Sequence, residues 1–449
     1  MVLQIGLQTN FVMVYAEDYW PEDVSTNSPS AIVMELSTST ILYEKNSREK
    51  LYPASITKIL TVLVALENSE LDEMVYFSDA AIDNTEGSGI ARDYGEEMTM
   101  EDCLYAIMLA SANECAYAVA EHVGGGSMEA FVEMMNAKVK ELGCVNTNFV
   151  NPHGLHDENH YTCSYDMALI GQAAYENEMF RTITGTKARM IPPTNKHAEE
   201  TPLQNHNKLL HRYQSGNYVY EYCTGGKTGY TTMSNSTLVT FAEKDGMALV
   251  SVVMNTDGVS EWTDSIAMFN YGFDNFHLIN VLENEVAYAV QEGKKTGSLS
   301  GTEPFVTLNE DANIVLPKSA EFSEAESSIA YNNEVSDVAG TLTYSYADRV
   351  VGTADIIATG VVLEEYAFDN LENGGENSKD DTTIQIKPIT IVIGFIALGV
   401  LIILYFIGKY LYDNIYIIKH NMSLNTPAKS RYREVKEQNA RRRRKNRRW

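Results

Sequence analysis

The sequence predicts a mixed α/β domain, then a small all-β domain, then a single transmembrane helix. Three observations predict it. Apolar segments with helical spacing, Ser55–Glu67 and Met100–His122, give way to two β-rich runs, Ser236–Ala242 and Met247–Met254, with the turn signal Lys244-Asp245-Gly246 between them. Residues 285–365 then alternate further β-rich runs with Gly, Asn and Asp. Finally, Ile389–Ile407 is nineteen residues without a charge, long enough to cross the hydrocarbon core. A chain of 449 residues accommodates two or three domains and a substantial core.

Residues 1–16 are mostly apolar and end Val14-Tyr15-Ala16 before Glu17-Asp18, a pattern that signal peptidase cleaves. The segment lacks Lys or Arg at its start, and Gln4, Gln8 and Asn10 interrupt it, so it reads as an atypical or truncated export signal. A first β-strand is the alternative.

The segment SITKILTVLVALE places Ile59, Leu60, Leu63, Val64 and Leu66 on a wide apolar face, with Pro53 where a helix entry tolerates it. Its β-branched content admits a strand, but the 3–4 spacing favours a buried helix. On a helix, residues three apart share a face, so Lys58 stands beside Ser55. A serine hydroxyl becomes a nucleophile when a base contacts it. Lysine can be that base when burial or a neighbouring cation, such as Lys227, lowers its pKa. Taken alone, Ser-x-x-Lys describes a capping serine and a solvated lysine.

Within MEDCLYAIMLASANECAYAVAEH, residues Leu104, Ile107, Met108, Ala116, Val119 and Ala120 recur at helical spacing around Ser111-Ala112-Asn113. A buried amide needs partners. Either Ser111 and Asn113 break the helix and bond backbone, or Ser111 relays a proton while Asn113 bonds Lys58 or a substrate amide. The third segment, Lys227-Thr228-Gly229-Tyr230, opens the β-rich region, and a glycine at 229 would let a ligand backbone lie against the strand. By itself it is a hairpin strand with a solvated lysine. All three segments in this order make a serine acyl-transfer site the expectation.

On these motifs the chain resembles the serine-type D-alanyl-D-alanine carboxypeptidases, the low-molecular-mass penicillin-binding proteins. Ile41-Leu42-Tyr43-Glu44-Lys45-Asn46, Tyr52-Pro53-Ala54, Asn151-Pro152-His153-Gly154-Leu155 and Asn205-His206-Asn207-Lys208-Leu209-Leu210 extend the resemblance over roughly residues 25–365. It implies a penicillin-recognition fold over 25–280, an antiparallel sheet with helices on both faces, and a β-sandwich-like spacer over 285–365. It implies that Ser55 attacks the carbonyl between the terminal D-alanines of a peptidoglycan stem peptide, and that β-lactam antibiotics acylate the same serine. Lys58 would be the base, and Ser111 and Asn113 would pass a proton to the leaving D-alanine and hold the substrate amide. Lys227 would support the electrostatics, Thr228 the terminal carboxylate, and Gly229 and Tyr230 the substrate backbone. The N–H groups of Ser55 and Tyr230 would form the oxyanion hole. No metal or other cofactor is implied.

Two departures stand out. The arginine that family members often carry beyond Lys-Thr-Gly is not evident, direct register reaching Trp262. Thr232-Met233-Ser234-Asn235 replaces a small residue and glycine. His153 and Asp166 have family-like context but read equally as a structural histidine and a capping aspartate. The region Met74–Gly89 reads as a loop bordering the cleft. A β-lactamase would share the acylation chemistry but needs a deacylating glutamate, which no clear loop supplies; a non-hydrolytic β-lactam or peptidoglycan sensor is the third reading.

Five cysteines, Cys103, Cys115, Cys144, Cys163 and Cys223, are odd in number and contain no Cys-x-x-Cys, so neither zinc nor a redox pair is indicated. Cys103 and Cys115 read as core thiols on one helix, and one disulfide elsewhere stays open. Residues 366–387 are polar and acidic, a stalk. The tail, 408–449, holds thirteen Lys/Arg against Asp413, Glu434 and Glu437, a net of +10, while the whole chain carries −27. That contrast across one span predicts a cytoplasmic tail and an extracytoplasmic remainder at the cell membrane. The basic run fits attraction to anionic inner-leaflet lipids better than nucleic-acid binding.

Overall fold

The computed structural model describes residues 19–214, 218–285, 306–332 and 338–358. Among these, no helix is long and apolar enough to cross a membrane. The expected export signal, stalk, membrane span 389–407 and basic tail lie outside the described residues.

Strands β1 (Ser30–Glu35) and β2 (Ile41–Lys45) precede helix α1 (Lys58–Asn68). Strand β3 (Met74–Tyr76), helix α2 (Asp79–Asp83) and strand β4 (Glu97–Thr99) follow, so the expected loop 74–89 is in part ordered structure, β3 pairing with β4. A helical region comes next: α3 (Met100–Tyr105), α4 (Asn113–Val123), α5 (Met128–Glu141), α6 (Ser164–Glu176) and α7 (Glu178–Gly185). The hairpin β5 (Ala188–Ile191) and β6 (Thr201–Gln204) leads to the long strands β7 (Cys223–Thr231), β8 (Asn235–Lys244) and β9 (Met247–Thr256), then α8 (Ser260–Asn275).

The central sheet is antiparallel with order β2-β1-β9-β8-β7, which leaves β7 on an edge. Asp245 and Gly246, both with positive φ, make the two-residue turn between β8 and β9 that the Lys-Asp-Gly signal anticipates. The sheet is buried on both faces because its residues alternate between two cores. Ile32, Met34, Phe241 and Val252 join the core formed with α1, α3, α4 and α6. Ala31, Val33, Leu238 and Val253 join Trp262, Met268 and Phe269 of α8 on the other face. This period-two sorting makes the sheet a rigid platform for what its edge presents.

The apolar run Met100–His122 is two helices, where the sequence predicts one. A π-helical turn over Ala106–Ala110 ends at Ser111, which is left-handed at φ 60° and ψ 32°, and α4 starts afresh at Asn113. The break lies inside an apolar run, so hydrophobic spacing continues across it unchanged. Cys103 and Cys115 consequently sit on separate helices, and all five thiols are free, which removes the open disulfide.

The remaining strands, β10 (Phe276–Asn280), β11 (Val306–Leu308), β12 (Asn313–Pro317), β13 (Glu326–Tyr331), β14 (Val338–Tyr346) and β15 (Arg349–Ala358), form one antiparallel sheet in the order β10-β12-β15-β14-β13, with β11 also on β15. Its first strand follows α8 without a linker, so this sheet begins at Phe276 and not near residue 285. Leu308, Ile314, Leu316, Leu342, Tyr344 and Ile356 build its core. The expected strand at 286–290 lies outside the described residues.

Candidate active site

The turn that carries Ser55 is set before α1 begins. Ala54–Thr57 is a 3-10 turn, not the first turn of an α-helix, and Ala54 takes a positive φ of 52°. Three contacts fix it. Thr237 Oγ1 donates to the Pro53 carbonyl at 2.8 Å, tying the turn to β8. Thr57 Oγ1 donates to the Ala54 carbonyl at 2.8 Å and meets His160 Nε2 at 2.8 Å. His160 Nδ1 accepts from the Val150 N–H, which leaves the proton of a neutral ring on Nε2, facing Thr57. Burial lowers His160 to about 3, consistent with that neutral ring.

Lys58 is fully buried, and its amine meets three oxygens: Ser55 Oγ at 3.1 Å, Asn113 Oδ1 at 2.6 Å and the His153 carbonyl. Burial, and then the charge of Lys227, push its pKa well below the usual lysine value, against a smaller opposing effect of Glu114. Asn113 Oδ1 and the His153 carbonyl can only accept. A neutral amine therefore gives its two protons to them and turns its lone pair to the Ser55 hydroxyl. Asn113 is itself held by the Ser88 carbonyl, which accepts from its N–H at 2.9 Å, and by the Glu86 carbonyl, which accepts from Nδ2. That is how the 74–89 region borders the site.

Ser111 and Asn113 thus both break the helix and face the lysines. Lys227, almost fully buried on β7, donates to Ser111 Oγ at 3.1 Å and to the Thr228 carbonyl at 2.7 Å. Burial lowers it to about 7. Thr228, Gly229 and Tyr230 follow along the sheet edge, Tyr230 being exposed at the rim. Gly229 also makes room for the nucleophile turn. A Cβ there would stand 2.7 Å from the Ser55 backbone nitrogen and 3.1 Å from Ala54 Cβ, so the missing side chain admits the nucleophile turn. A cleft of about 370 Å³ opens over these residues, lined by Ser55, Ser111, Thr228, Gly229 and Tyr230. All eight expected site residues thus belong to one constellation, six of them bonded or lining together with Lys58 and Lys227 beneath.

A hydroxyl in contact with a buried amine, beside an open sheet edge, is equipped for acyl transfer. A family model described as D-alanyl-D-alanine carboxypeptidase matches residues 18–258. The chain belongs to this family. Its activity class is serine-type D-alanyl-D-alanine carboxypeptidase. Among its relatives, DacF of Bacillus subtilis is 31% identical over 322 residues, covering 70% of this chain and 79% of the relative. DacC of Escherichia coli is 27% identical over 395 residues, covering 81% and 90%. Penicillin binding protein 5 from Haemophilus influenzae matches in structure with a TM-score of 0.59 at 25% identity, covering 75% of this chain and 98% of that one. The Streptomyces K15 DD-transpeptidase matches with 0.52 at 28%, covering 57% and 100%.

Within this family member the flanking residues sort into supports and lining. His153 supplies its carbonyl to Lys58, and burial lowers its ring to about 3. Asp166 does not cap: Cys163 is the N-cap of α6, and Asp166 Oδ2 accepts from the Asn146 N–H and Thr147 Oγ1, both at 2.7 Å. The cleft also gathers Ser88, His206, Lys208, Tyr213, Gln214, Ser236, Glu261 and Trp262. Sequence reasoning assigned none of them a role, although His206 and Lys208 lie within the Asn205–Leu210 phrase. No cluster of three or more His, Cys, Asp or Glu suited to a metal occurs among the described residues.

Proposed function

We propose that Ser55 is the nucleophile of this carboxypeptidase and Lys58 its general base, acting on peptidoglycan stem peptides that end in D-Ala-D-Ala. The observation that carries this reading is the Lys58 amine, held by two acceptor-only groups and 3.1 Å from Ser55 Oγ. Ser55 Oγ bonds to the carbonyl carbon of the penultimate D-alanine while its proton passes to the Lys58 nitrogen. The N–H groups of Ser55 and Tyr230 receive the developing oxyanion. The C–N bond then breaks as the proton taken by Lys58 passes by way of Ser111, held by Lys227, to the departing D-alanine amine, which leaves Lys58 neutral again. Water attacks the ester with Lys58 again as base, releasing the shortened peptide and restoring Ser55. The free edge of β7 suits docking of an extended substrate backbone along Gly229 and Tyr230, with Thr228 at its terminal carboxylate. Asn113 doubles as a support of Lys58 and a partner for the substrate amide. β-Lactams, which present a strained amide to the same serine, would form a long-lived ester there.

The membrane placement belongs to the same reading: residues 389–407 cross the cell membrane once, with the domains outside and the basic tail inside. Support comes from the uncharged run and the charge contrast across it.

The test is parallel turnover of diacetyl-L-Lys-D-Ala-D-Ala and of a penicillin by the wild type and Ser55→Ala. Steady D-alanine release with penicillin trapped on Ser55, both lost in the variant, is expected. Rapid penicillin turnover without D-alanine release would make the protein a β-lactamase, and acylation retained in Ser55→Ala would remove Ser55 as nucleophile.

A further inference from the structure

A carboxypeptidase substrate ends in a carboxylate one residue beyond the bond that breaks, so the leaving-group end of the cleft must receive a negative charge. The two lysines nearest Ser55 are poorly placed for this. Lys58 and Lys227 are buried, already bonded to protein oxygens, and held with lowered pKa values. Among the described residues lining the cleft there is one lysine, Lys208.

Lys208 is also built into place. Asn205 and Asn207, both buried, clamp its segment to the sheet region. Asn205 Nδ2 donates to the Thr184 and Thr186 carbonyls at 3.0 Å each, and Asn207 Nδ2 donates to the Gly225 carbonyl at 3.1 Å and Thr240 Oγ1 at 3.0 Å. Leu209, the next residue, is fully buried in the core beneath α8. The Lys208 ammonium lies 5.7 Å from the centre of the Trp262 ring, which α8 presents to the same cleft. Trp262 in turn stacks on Tyr218. Thr228 and Ser236 line the same cleft on adjacent strands.

We infer that Lys208 is the specificity-determining cation of this enzyme, receiving the terminal carboxylate of the substrate together with Thr228. Glu261, beside it, offsets the charge only in part: burial raises it to about 7, against the opposing effects of the Lys208 charge and a hydrogen bond with Ser236, so at pH 7 a share of it is protonated. The inference rests on the proposed carboxypeptidase reaction.

The test compares the peptide acid diacetyl-L-Lys-D-Ala-D-Ala with its C-terminal amide, which keeps the scissile bond and loses the negative charge. The wild type, Lys208→Met and Lys208→Arg are assayed at pH 7, with thermal melts to establish folding. Methionine keeps the apolar stem of the lysine and removes its charge, and arginine keeps the charge. The expected result is a fall of about 10-fold or more in the acid-to-amide ratio of kcat/KM for Lys208→Met, the scale of a lost charged hydrogen bond, with the ratio regained in Lys208→Arg. An unchanged ratio in folded Lys208→Met would overturn the inference while leaving the Ser55 reaction standing. A folded wild type that releases neither D-alanine from the acid nor D-alaninamide from the amide would overturn the reaction itself, and the inference with it.

Discussion

Gly229 and Ser55 are packed so closely that a Cβ on the glycine would stand 2.7 Å from the serine's backbone nitrogen, and 2.5 Å from Thr237 Oγ1. Backbone cannot swing aside as a side-chain end can, so the nucleophile turn itself would have to move. Gly229→Ala is therefore expected to slow penicillin acylation by about 10²-fold, the scale of a misplaced reacting group. Overpacking of this kind costs about 1–3 kcal/mol, so the protein still folds. Mass spectrometry of the acyl-enzyme and a thermal melt check both halves. A wild-type rate would mean that the turn has slack the geometry does not suggest.

Lys58→Ala removes the base in contact with Ser55 and is expected to slow acylation by about 10²–10⁴-fold. The wild-type rate should rise with pH as the buried lysine pair loses a proton, because only a neutral amine can accept one. The Lys227 charge acts on Lys58, so the midpoint of the profile is an apparent value that reflects the state of both. That value should lie well below an ordinary lysine, given the lowered pKa values of the two groups. A midpoint near 10 in the pH–rate profile would dismiss Lys58 as the base.

Acid should destabilise the fold through its histidines. Burial holds His153 and His160 at about 3 and His206 at about 4, against about 6.5 in an unfolded chain. Between those values the unfolded state binds protons that the native state refuses, so stability falls as pH falls. Glu261 acts oppositely between about 7 and its ordinary carboxylate value, since the native state protonates it first. Three histidines outweigh one carboxyl, and the expected outcome is a lower melting temperature at pH 4.5 than at pH 7. An equal or higher value at pH 4.5 would show that these rings are protonated in the native state. His160 braces the turn through Thr57, so acylation should weaken along with stability.

Deleting the chain from Ile389 onward is expected to move the protein from the membrane fraction to the soluble one with D-alanine release intact. Persistent membrane association of the truncated chain would place the anchor elsewhere.

How much of this was legible in the residues varies from motif to motif. Ser55 and Lys58 were, because three residues on a helical path bring two side chains together, and the 3-10 turn at Ala54–Thr57 preserves that neighbourhood. The β8–β9 hairpin was legible for the same local reason: Asp245-Gly246 supplies the positive φ that a two-residue turn needs. Ser111 was legible as chemistry but not as structure, since apolar spacing on both sides conceals its left-handed break.

The sequence by itself determined the three motifs, the hairpin, the apolar periodicities and the family resemblance, all of which arise from neighbours along the chain. Only the tertiary structure decided what distant segments do to one another. It gave Gly229 to the Ser55 turn, lowered the two lysines by burying them together, and brought Lys208, Ser236, Glu261 and Trp262 to the cleft that Ser55 lines. The physical reason is that close approach, desolvation and charge pairing depend on separation in space. No spacing in the sequence encodes a separation that the packing of a whole sheet and its helices sets.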